Sequence, residues 1–64
     1  MEGDHRIYAN LGNALWLADQ PDLAREAYEQ AIDIAPVEPL PQRGLGNVLR
    51  DLGAFEQANH AYAR

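Results

Sequence analysis

A block of five residues occurs twice in this chain of 64. Leu11-Gly12-Asn13-Ala14-Leu15 returns 34 positions later as Leu45-Gly46-Asn47-Val48-Leu49, and the same offset carries Ala24 to Ala58, Ala27 to Ala61 and Tyr28 to Tyr62. A period of this length belongs to helical hairpins stacked on one another, each burying its apolar face on the next. It predicts an all-α fold of antiparallel helix-turn-helix hairpins, stacked as an α-solenoid of four helices. The whole of 1–64 reads as a single domain, with one repeat over about 5–38 and a second, incomplete one over about 39–64.

The helices follow from spacing and punctuation. Tyr8, Leu11, Leu15 and Ala18 recur in steps of three and four over residues 5–18, the pattern of one buried helix face. Asp19-Gln20-Pro21-Asp22 breaks it; proline suits a first helical turn and an acid there suits the dipole, so a second helix starts near Pro21. Its buried stripe is Ala24, Ala27, Tyr28, Ala31, Ile32 and Ala35, and Pro36 ends it. The linker Pro36-Val37-Glu38-Pro39-Leu40-Pro41 follows. A residue before proline avoids the α region, so Leu40 is expected to be extended and the third helix to start near Pro41. Leu45, Val48, Leu49 and Leu52 make its apolar face, and Gly53 supplies a left-handed stop. Ala54 or Phe55 opens the fourth helix, with Phe55, Ala58, Ala61 and Tyr62 on one side. Gly12 and Gly46 sit at the same phase inside helices, where glycine costs roughly 1 kcal/mol against alanine, which suggests a packing need.

Composition then excludes most chemistry. The sequence has no Cys, Ser, Thr or Lys, and its five basic residues are all Arg. Apart from the Tyr phenols, no hydroxyl, thiol or amine side chain can act as a nucleophile, and no thiolate can hold a metal. His5 and His60 stand alone, without matched ligand spacing. With no acid–base pair, nucleophile or metal set in view, these residues are not expected to form an enzyme, bind a cofactor or bind a metal. Ten acids against five Arg give a net charge of -5, the wrong sign for nucleic acid or an anionic membrane. No apolar run is long enough to span a bilayer, and the polar N-terminus carries no signal peptide, so a cytoplasmic location is expected.

Tyr8, Leu11-Gly12, Leu15, Ala24, Tyr28, Ala31 and Pro36, followed by Leu45-Gly46, Leu49, Gly53, Phe55, Ala58 and Tyr62, resemble in order the tetratricopeptide repeat. The resemblance covers residues 5–64. Asp19 departs from it at the turn glycine of the first repeat, and Gln42 stands where an aromatic residue would open the second. In that family the first helix of each hairpin lines a concave groove that takes extended peptides or helices. The resemblance therefore implies a partner-binding face at Arg6, Asn13 and Trp16 on the first helix and at Arg43, Asn47 and Arg50 on the third. Asn13 and Asn47 would form a short ladder for a peptide backbone, flanked by Arg43 and Arg50 as carboxylate forks. Trp16 would serve as an apolar anchor, or else cover the hairpin end. A complete carboxylate clamp is not expected, since Lys and a third repeat are missing. Asp22, Glu26, Glu29 and Asp33 form an acidic stripe on the second helix, read as a solvated convex face. The expected function is a non-catalytic protein–protein interaction module with a protein or peptide partner. The alternatives are a structural module that self-associates as a homo-oligomer through exposed repeat faces, or the repeat region of a larger enzyme or scaffold. A chain of this size buries only about 60% of its unfolded surface, which makes added protein surface a natural source of stability.

Overall fold

The computed structural model describes residues 4–53, which form three α-helices: α1 (His5–Leu17), α2 (Pro21–Ile34) and α3 (Pro39–Asp51). The described residues are all-α. The fourth expected helix, from Ala54 or Phe55 onward, lies outside them. α2 is the central element, packed against α1 on one side and α3 on the other.

Helix ends show how the sequence punctuates the fold. Asp4 caps α1, its carboxylate accepting from the Arg6 backbone N–H at 2.9 Å. At the other end the Gln20 N–H donates to the Leu15 carbonyl and the Asp19 N–H to the Trp16 carbonyl, at 2.9 and 3.1 Å. This pair of bonds is the Schellman closure, which requires a left-handed residue just past the helix. Asp19 takes that conformation at φ 61°, and Gly53 does so at φ 83° past α3. Asp is among the few side chains that tolerate the left-handed region, so the turn closes without its glycine.

α3 departs from the expected start. It begins at Pro39, with Leu40 already helical, rather than at Pro41. The first four N–H groups of any helix lack an intrahelical acceptor, so prolines at the first and third positions forfeit no bond. The Pro41 ring would oppose the carbonyl four residues back, at Val37, which precedes the helix. With those costs absent, the preference of a pre-proline residue for extended backbone is overridden.

Ala24, Tyr28 and Val48 form the centre of the core, with Leu15, Trp16 and Leu45 packed around them. The α2 stripe is buried at Ala24, Ala27, Tyr28 and Ala31, and half-buried at Ile32 and Ala35. Close approach is required on both of its sides. A Cβ at Gly12 would lie 2.7 Å from the Tyr28 ring, and one at Gly44 would lie 2.5 Å from it. Gly46 is buried too. The face expected for α1 needs correction: Tyr8 and Leu15 are half-buried, whereas Leu11 and Ala18 are exposed. α1 meets α2 through the side bearing Gly12 and Leu15. Leu11 and Ala18 point off that side, where no described element covers them.

Candidate functional site

On the side where α1 and α3 flank the Tyr28 ring there is an open groove of about 380 Å³. α1 lines it with His5, Arg6, Ala9, Asn10, Asn13 and Trp16; α3 lines it with Leu40, Pro41, Arg43, Gly44 and Asn47. Glu38, the residue before α3, also lines it. Helix geometry accounts for both walls, since residues three and four apart share a face. The walls run through 6, 9, 10, 13 and 16 on α1, and through 40, 43, 44 and 47 on α3. Of the expected partner-binding residues, Arg6, Asn13, Trp16, Arg43 and Asn47 are brought together here, and Arg50 is not among the lining residues.

Several of these side chains are already held by neighbours. The Tyr28 hydroxyl donates to Asn13 Oδ1, which fixes the Asn13 side chain at the groove. Burial pushes the Tyr28 phenol up from its ordinary pKa, which keeps it a neutral donor. Trp16 Nε1 donates to Asp51 Oδ2, joining α1 to α3; Trp16 is thus tied across the groove and half-buried rather than free. Asp51 spends an oxygen on this indole and pairs with neither Arg43 nor Arg50 among the described contacts. Arg50 Nη2 makes only a long contact of 3.5 Å with Asn47 Oδ1.

The cations differ in their freedom. Arg6 grips Asp4 through Nε at 3.0 Å and Nη2 at 2.6 Å. That pair, with the backbone bond from Arg6, lowers the Asp4 carboxyl from 3.8 to about 2, and Asp4 in turn raises the Arg6 guanidinium. Arg43 is exposed and has no carboxylate partner among the described residues. The groove therefore carries Arg6 and Arg43, while Asp22, Glu26, Glu29 and Asp33 stand exposed on α2.

Gln42, the other departure from the repeat pattern, is buried, with its Nε2 donating to the Pro36 carbonyl. An amide at that position donates to a linker carbonyl, which an aromatic ring could not do. His5, Asn10, Glu38, Leu40, Pro41 and Gly44 line the groove without having been expected there. The α3 members were visible as a run in steps of three and four; Glu38 had no such signal.

Among the described residues, no helix is long and apolar enough to cross a membrane, and no group of three or more His, Cys, Asp or Glu could hold a metal ion. Comparison with curated proteins and with solved structures returns no match. A family profile does match, that of the tetratricopeptide repeat, over residues 5–38. Those residues are more than half of the chain. Repeats of this kind generally mediate protein–protein interaction. With α1 and α2 inside the match, and the groove wall they share with α3 already in view, the chain belongs to the tetratricopeptide repeat family.

Proposed function

We propose that this protein is a non-catalytic interaction module that takes a segment of a partner protein, extended or helical, in the groove between α1 and α3. The observation that carries this reading is the convergence of Arg6, Asn13, Trp16, Arg43 and Asn47 on one open groove floored by the Tyr28 ring. The groove mixes apolar surface at Leu40 and Trp16 with amide groups for a backbone and a cation at Arg43. In such a mixture the apolar parts would supply binding energy to a bound segment and the few polar groups would set its register. The second repeat, over about 39–64, contributes its first helix, α3, as one wall.

Trp16 is the only tryptophan of the chain, so its emission reports occupancy directly. In a titration against a panel of peptides, the double variant Arg43→Ala/Asn47→Ala should bind about tenfold or more weakly, as expected for central interface residues. Its helicity by circular dichroism should be unchanged. Arg50→Ala, just outside the lining, should cost less. Undiminished affinity of the double variant would move the binding face elsewhere.

A further inference from the structure

One face of α1 is exposed, apolar and arranged as a short seam. Ile7, Leu11 and Ala14, with Ala18 at the C-cap, follow one another in steps of four, three and four. That spacing puts them on a single side of the helix, in the pattern by which paired helices mesh. All four are exposed, Ile7 at 61% and Leu11 at 47%. None carries charge, and none lines the groove.

Side-chain size along this seam changes at its midpoint. Ile7 and Leu11 fill the N-terminal half, Ala14 and Ala18 the C-terminal half. The order separates the two ways in which a pair of such seams can meet. Parallel pairing sets each residue against its own copy, so two layers of large side chains are followed by two of alanine. Those layers cannot all close at one helix separation without leaving voids. Antiparallel pairing about a twofold axis midway between Leu11 and Ala14 sets Ile7 against Ala18 and Leu11 against Ala14, in both directions at once. Every layer then holds one large and one small residue. The interior follows the same rule, with the Tyr28 ring in the space left by Gly12 and Gly44.

We propose that this face is the contact between two copies of the chain, paired antiparallel through α1. The interface is isologous: the same patch serves both partners, and association stops at two. It uses no groove residue, and so stands independently of the peptide-binding reading. α1 has 13 residues, which gives a footprint of about 20 Å by about 10 Å. That is well below the roughly 800 Å² per partner of a standard interface. The pair is therefore weak, and forms as concentration rises.

The test is sedimentation equilibrium of the full chain from about 10 µM to about 1 mM, the range in which weak pairs form. Mass should rise from that of a monomer toward that of a dimer and go no further. Leu11→Glu should weaken pairing about tenfold or more. Ala14→Leu should weaken it similarly, although it makes the face more apolar, because each central layer then holds two large residues and the axes are forced apart. The exchange Leu11→Ala/Ala14→Leu restores one large and one small residue to every layer, and affinity should return to within about threefold of the wild type. Ala and Leu are both strong helix formers, and circular dichroism checks that helicity is kept. Should these variants lose it, Ala18→Ile and the exchange Ile7→Ala/Ala18→Ile put the same question to the outer layers. A monomer throughout the range would overturn the proposal, as would growth beyond a dimer. Association indifferent to Leu11→Glu would also overturn it, by assigning the contact to another part of the chain. Tighter pairing by Ala14→Leu would do so too, since an apolar patch without defined layers gains from any added apolar surface.

Discussion

Tyr28 shows at the scale of one residue how this chain is held together. Its side chain is 1% exposed, its ring lies between Gly12 of α1 and Gly44 of α3, and its hydroxyl reaches Asn13 at the groove floor. Packing and site are thus joined in one ring. Gly44→Ala tests the arrangement. In an isolated helix the change would help by roughly 1 kcal/mol, but here the added methyl would lie 2.5 Å from the ring. Overpacking of this kind costs about 1–3 kcal/mol. A net loss of stability in thermal melting is expected, and a raised melting temperature would show that the ring simply moves aside. Gly12 was legible in the sequence because its partner Gly46 shares its phase. Gly44 was not, because the repeat pairs it with Asn10. Its need for a missing side chain arises between hairpins, where only one of the two positions has a described hairpin in front of it.

At the scale of the helices, the start of α1 is held by a charged cap. The Asp4 carboxylate caps α1 and holds Arg6, and its pKa falls from 3.8 to about 2. A carboxyl group whose folded pKa is depressed favours the folded state above its unfolded pKa, and this contribution fades as pH falls toward the folded one. The cap of α1 should therefore hold at neutral pH and loosen between about pH 4 and pH 2. Carbon chemical shifts of the Asp4 carboxyl, followed by titration, should give a midpoint near 2. A midpoint at the ordinary value of 3.8 would mean that the Arg6 pair does not persist in solution. The α2 stripe of small residues was readable from period alone, since both flanking helices need its face. The outer stripe of α1 was not: apolar spacing marks Leu11 and Ala18 as a face, but cannot say whether a partner stands opposite. The start of α3 failed for a different reason. Pre-proline preference is a local rule, and it gave way where the first turn had no hydrogen bonds to lose.

For the molecule as a whole, the groove is a consequence of α2 lying between α1 and α3, so that both walls spring from the same buried helix. Five of its lining residues, Arg6, Asn13, Trp16, Arg43 and Asn47, were legible as two stripes, because a stripe needs only helical spacing. The ties across it were not, because they depend on which side chains meet when the hairpins close. Trp16 and Asp51 meet in this way, 35 positions apart, with the indole N–H donating to the carboxylate. Direct contact between α1 and α3 is otherwise sparse compared with the contact each makes with α2, so this bond acts on the width of the groove more than on the core. Asp51→Ala removes it at a cost of about 1 kcal/mol, the usual net worth of such a bond, and should free the indole to meet water. Trp16 emission should then shift to the red, and peptide affinity should change through the altered groove even though Asp51 is not among the lining residues. Asp51→Asn keeps an acceptor oxygen and should recover most of both signals. If Asp51→Ala alters neither emission nor affinity, the walls are spaced by the Tyr28 ring alone, and Trp16 is as free to anchor a partner as its place in the repeat first implied.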